Sequence, residues 1–142
     1  MGQIVGQVYD ADFNVQAALW SHEALTFLPG IAGGTLLGTP RPFLWQNGVT
    51  TPLPMLPAAT TGSASGINDR RQIVGETGNV AVLWQNGTAI DLNSRIAPSD
   101  PLQPYVYLRK ASRINNLGQI VASGSDSRSS DPDQWYVLTP VN

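Results

Sequence analysis

The chain has 142 residues, the size of one ordinary domain. Only 13% are charged, about half the usual quarter, and with 14 Gly, 11 Pro and a single lysine the composition excludes a helical bundle and indicates an all-β fold of short strands. The eight basic residues are scattered in a chain of net charge −2, which excludes a phosphate-binding surface; the absence of cysteine excludes disulfides, thiolate nucleophiles and zinc–cysteine sites.

The chain is organised by internal repetition. The N-terminus, MGQIVGQVYD, lacks the basic start and apolar core of a secretion signal. A cytoplasmic protein and a secreted one without its signal both fit it. The first repeat, roughly residues 1–28, contains MGQIVGQV from Met1 and ALWSHEALTFL from Ala18. Between them Asp10, Asp12 and Asn14 form D-x-D-x-N, the opening of a calcium loop. Val15 then stands where the sharp-turn glycine belongs, and Ser21 where the bidentate glutamate belongs. A polar hairpin loop is the expectation, with no metal. His22, the only histidine, aligns with a hairpin tip beside Glu23. A catalytic histidine needs a carboxylate behind it and a nucleophile ahead, in a cleft. It is assigned no catalytic role.

The second repeat, roughly 30–56, has a degenerate GGTLLGTP from Gly33 and FLWQNGVTTPL from Phe43. Asn47-Gly48 predicts a type I′ hairpin, and Pro52 on its second strand predicts an outer edge. Residues 42–68 are uncharged, but Pro42, Pro52, Pro54 and Pro57 preclude a membrane-spanning helix. GSASG from Gly62 places Ala64 where a G-x-S-x-G elbow needs serine, and reads as a flexible connector.

The third repeat, roughly 65–92, reads SGIND, RRQIVGET and VLWQNGTAIDL. Asn86-Gly87 predicts a hairpin pairing Gln85 with Thr88, Trp84 with Ala89, Leu83 with Ile90, Val82 with Asp91 and Ala81 with Leu92. Both faces of that ribbon are largely apolar, so the sheet is expected to lie between two similar sheets. The fourth repeat, roughly 112–142, reads SRINN, LGQIVASG and YVLTPVN. Asn68 and Asn115 occupy Asx turns before the second strand. Gly2 and Gly118 precede Gln3 and Gln119, but the third copy has Arg71 there, which predicts either a left-handed arginine or a rearranged loop. Asp126, Asp131 and Asp133 read as a solvated acidic loop.

A unit of four short antiparallel strands, repeated, is a β-propeller blade. The expectation is one domain, residues 1–142: a propeller or partial propeller of about four blades. Trp20, Trp45 and Trp84 recur once per repeat, mid-strand, and read as packing between blades. Trp135, Tyr105 and Tyr107 fall outside that register and are candidates for an exposed aromatic contact. The first repeat lacks the Ile-Asn strand and the fourth lacks the strand after the turn. A fragment of a longer propeller or one subunit of an assembled ring is therefore expected.

GINDRRQIVG from Gly66, AVLWQNGTAIDL from Ala81 and RINNLGQIVASG from Arg113 resemble the bacterial HAF repeat, or probable extracellular repeat. The segment from Asp91 to Asn116 resembles that family's long link into its final repeat, and YVLTPV its C-terminal ending. The namesake His-Ala-Phe is not kept: those positions read Phe43 in one copy and Val80-Ala81-Val82 in another. The resemblance implies an extracellular or cell-surface repeat protein. The resulting expectation is a non-catalytic binding or scaffold module with a protein or glycan partner and no catalytic, cofactor or metal residues. The alternative is a carbohydrate-active hydrolase or lyase with its site at the propeller centre.

Overall fold

Between residues 62 and 91, alternating apolar residues and Gly-Asn and Asn-Gly turns fold into a four-stranded antiparallel meander. Its strands are β6 (Gly62–Ile67), β7 (Ile73–Thr77), β8 (Val80–Gln85) and β9 (Thr88–Asp91), hydrogen-bonded in that order. A computed structural model describes residues 4–9, 15–21, 24–27, 40–46 and 49–141; the first three of these segments, and residues 45, 46 and 50, are described by backbone alone. The fold is all-β. The remaining sheets are β1 (Ile4–Tyr9), β2 (Val15–Ser21) and β3 (Ala24–Phe27); the pair β4 (Phe43–Gln46) and β5 (Val49–Pro52); and β10 (Val106–Ile114), β11 (Ile120–Asp126) and β12 (Gln134–Leu138). Every pairing is antiparallel. No helix among the described residues is long and apolar enough to cross a membrane.

The registers repeat. Ile4 pairs with Trp20, Ile73 with Trp84, and Ile120 with Leu138. The β8–β9 ribbon has the register expected from its turn: Gln85 with Thr88, Trp84 with Ala89, Leu83 with Ile90, Val82 with Asp91. Asn86 and Gly87 both have positive φ, 53° and 74°, as a type I′ turn requires. A second turn of this hand, Gly78-Asn79 at φ 56° and 65°, joins β7 to β8. The β4–β5 pair ends with Phe43 opposite Pro52, and β5 is an edge strand among the described residues.

The β6–β9 sheet is buried on both faces. Val74, Ala81 and Leu83 pack on one side against Ile120, Ala122, Tyr136 and Leu138 of the last sheet. Ile73, Val82 and Trp84 pack on the other against Leu44, Leu53 and Leu56. Trp84 is 2% exposed, and its indole N–H donates to the Pro54 carbonyl at 2.6 Å. That bond removes the cost of burying an indole donor.

Two expectations are revised. GSASG is not a flexible connector: it forms most of β6, with a bulge between Ala64 and Gly66. Its small side chains admit the neighbouring strand. At Gly75, opposite Ala64, a Cβ would stand 2.0 Å from the Ser63 carbonyl and 2.9 Å from the Trp84 ring. Asp126 is also not a loop residue. It closes β11 and is nearly buried.

The link between the last two sheets is held by Asn93. Asp91 caps a 3-10 turn, Leu92–Arg95, by accepting the Asn93 N–H at 2.8 Å. Asn93 then accepts the Leu108 N–H at 2.7 Å and donates to the Leu108 carbonyl at 3.0 Å. A side-chain amide thus satisfies the outer edge of β10 as a neighbouring strand would.

Candidate binding surface

Among the described residues, the β10–β12 sheet buries only one face. Registers place Ser123 between Lys110 and Trp135, and Val121 between Arg113 and Val137. These residues share the face turned away from the β6–β9 sheet. Trp135 is 66% exposed and Val137 68%, on the same face as exposed Tyr107. Counting from the shared Ile73 and Ile120 registers, Trp135 stands where the previous sheet has Ala81, which is fully buried. One repeat position therefore carries a small packed residue in one sheet and a large exposed aromatic in the next. The expectation that Trp135 and Tyr107 lie outside the packing register matches this placement.

A second cluster joins the tips of the last two sheets. Asn68 accepts the backbone N–H groups of Arg70 and Gln72, each at 3.0 Å, and donates to Gln72 Oε1 at 2.7 Å. Asn115 repeats the pattern with Leu117, Gln119 and Gln119 Oε1. Both form the expected Asx turns, and each turn holds a left-handed residue: Arg71 at φ 60° and Gly118 at φ 84°. Asn116 clamps the two tips by accepting the Asp69 N–H at 3.0 Å and donating to the Asp69 carboxylate at 2.6 Å. The Arg70 guanidinium donates to the Asn116 carbonyl. These polar groups are consumed in joining sheets.

The third cluster is Asp126, Arg128 and Tyr105. Asp126 accepts two guanidinium bonds from Arg128, at 3.0 and 2.6 Å, and its backbone N–H at 2.9 Å. Those bonds, the side-chain ones foremost, bring the Asp126 carboxyl from 3.8 down to about 2. Arg128 also lies over the Tyr105 ring, 4.3 Å from its centroid. Asp131 and Asp133 sit in the exposed loop beyond, where Asp133 approaches Arg109 at 3.8 Å. The three aspartates do not converge. No group of three or more potential metal-binding His, Cys, Asp or Glu side chains occurs among the described residues.

His22, Glu23, Asp10, Asp12, Asn14 and Gly2 lie outside the described residues, as do the side chains of Trp20 and Trp45. Comparison with family models, curated proteins and solved structures returns no match for this chain.

Proposed function

We propose that the sheets are blades of a β-propeller or part of one, and that the chain is a non-catalytic binding or scaffold module with a protein or glycan partner. The blade reading is supported by consecutive four- and three-stranded sheets packed face to face in equivalent register. The binding reading rests on Trp135, held mid-strand on a sheet face yet 66% exposed. An exposed aromatic ring supplies stacking area for a sugar or an apolar anchor for a protein at little entropic cost. The resemblance to the probable extracellular repeat supports a module that works outside the cell or on its surface.

A glycan array read in parallel with a protein pull-down tests this proposal, using wild type and Trp135→Ala. A ligand captured by wild type and lost on removing the indole supports it. Equal capture by both proteins refutes the assignment of the outer face.

A further inference from the structure

We propose that Asn86 is a site of spontaneous modification by water: it converts through a cyclic imide to aspartate and isoaspartate, and the isoaspartate form unfastens the β8–β9 hairpin. This goes beyond the binding reading and does not depend on it, since Asn86 and Trp135 belong to different sheets.

The surroundings of the asparagines single out this position. Asparagine is thermolabile because its side-chain amide can be attacked by the backbone nitrogen of the next residue. The attack needs a side chain that is not tied down and a following residue that leaves room. Asn68, Asn93, Asn115 and Asn116 each have both the amide nitrogen and the amide oxygen in hydrogen bonds. Asn79 is exposed, but Val80 follows it, and the branched Cβ crowds the approach. Asn86 is exposed, its side chain makes no hydrogen bond among the described residues, and Gly87 follows it. No atom lies within 4 Å of where a Cβ on Gly87 would stand. The ladder closes at the Gln85–Thr88 pair, so the Gly87 N–H donates to no backbone acceptor among the described residues. Asn47, also followed by glycine, lies outside them.

The step balances with water alone. The Gly87 nitrogen, having given its proton to solvent, attacks Asn86 Cγ. The Cγ–Nδ2 bond breaks, and ammonia leaves with a proton from water. Water then opens the imide. Addition at Cγ gives aspartate; addition at the backbone carbonyl leaves the chain running through Cγ as isoaspartate. Nothing is oxidised or reduced.

The two products differ in what they do to the turn. Asp-Gly suits a type I′ turn as Asn-Gly does. Isoaspartate puts an extra methylene into a two-residue loop whose residues are fixed at φ 53° and 74°. It therefore shifts Thr88 away from Gln85. The antiparallel register directs the Thr88 and Ile90 amides at β8. Those ladder bonds are the ones weakened.

The folded chain, incubated in mildly alkaline buffer, provides the test. Trypsin, cutting after Arg71 and Arg95, releases residues 72–95 with Asn79, Asn86 and Asn93 together. Tandem mass spectrometry should find the amide-to-acid mass gain first at Asn86, and an isoaspartyl methyltransferase should label the same peptide. Asn86→Gly keeps a pair that suits the turn, Gly-Gly, and should abolish both signals. The isoaspartyl fraction, separated by chromatography, should lose exchange protection at Thr88 and Ile90, whereas freshly prepared Asn86→Asp should keep it. Acid formation at Asn79 or Asn93 ahead of Asn86 overturns the proposal. So does an Asn86 that stays intact while the urea-unfolded chain is converted there, which would show that the folded turn protects it. An isoaspartyl fraction exchanging as slowly as wild type at Thr88 and Ile90 overturns the structural effect. None of these readouts involves Trp135, so this proposal and the binding reading fail separately.

Discussion

Asn68 donates its side-chain amide to the backbone carbonyl of Asn115, 3.0 Å away and 47 residues along the chain. The two residues hold the same position in successive repeats, so one Asx turn is built onto the next. Asn68 is buried and makes this bond besides its three local ones; the Asn115 side chain is exposed and, among the described residues, makes only local bonds. Asn68→Ala should cost about 2–3 kcal/mol, because it leaves buried donors and acceptors unpaired, and Asn115→Ala about 1 kcal/mol. Asn68→Asp should be nearly as harmful as alanine, since it sets a carboxylate oxygen against the Asn115 carbonyl. Urea denaturation of the three variants measures the order.

Arg71 and Gly118 test the left-handed position in the same turns. Arg71 occupies it with an exposed L side chain that makes no hydrogen bond or ion pair among the described residues. Arg71→Gly should stabilise by at most about 1 kcal/mol, the relief of strain being partly offset by a more flexible unfolded chain. Gly118→Ala should cost about 1 kcal/mol or more, because the new Cβ would also meet Pro140 Cγ at 3.1 Å. Thermal unfolding of the pair should shift Tm in opposite directions.

These turns were legible because they follow short-range rules. Asn-Gly dictates φ > 0 at two residues, and an Asx turn needs only one side chain and its next few amides. The apolar alternation around Trp84 likewise indicated a sheet with two buried faces. What escaped was long-range. Nothing near Asn93 indicates that its amide will reach Leu108, 15 residues on. The GSASG segment has weak strand propensity; it becomes a strand because β7 offers a full ladder and Gly75 leaves room. The exposed face was half legible. Trp135 broke the tryptophan register, but its neighbours Lys110 and Val121 come from bulged pairing that no period reveals.

Asn93→Ala should therefore cost more than an ordinary loop substitution. Leu108 is fully buried, and its N–H would lose the side-chain acceptor. The expected loss is about 1–3 kcal/mol, and faster exchange of the Leu108 amide would locate it.

Asp126 makes stability acid-sensitive. Its carboxyl titrates below its ordinary value, so the folded state favours the ionised form. The contribution is complete above about pH 5 and is lost as pH falls through 3.8 towards about 2. Asp126→Asn removes the titrating group. The stability difference between wild type and this variant should shrink across that window and stay constant above it. A difference independent of pH down to 2 would show that Arg128 does not select the ionised form.

Trp84 and Trp135 separate a tryptophan that holds the fold from one that faces outward. Trp84 lies between β7 and the Leu53–Leu56 segment with its N–H bonded to Pro54. Trp84→Ala should cost about 3–5 kcal/mol by transfer and cavity formation together. Trp84→Phe should recover the greater part of that loss but not the Pro54 bond. Trp135 projects from an uncovered face, where substitutions usually change stability by less than about 0.5 kcal/mol. Trp135→Ala should therefore leave the denaturation midpoint close to wild type. It should also reduce the solvent-exposed part of the indole fluorescence. A loss above about 2 kcal/mol on truncating Trp135 would show that the outer face is packed in solution, by another sheet of this chain or by a second copy. The aromatic surface would then be part of the core of an assembly and closed to a separate ligand.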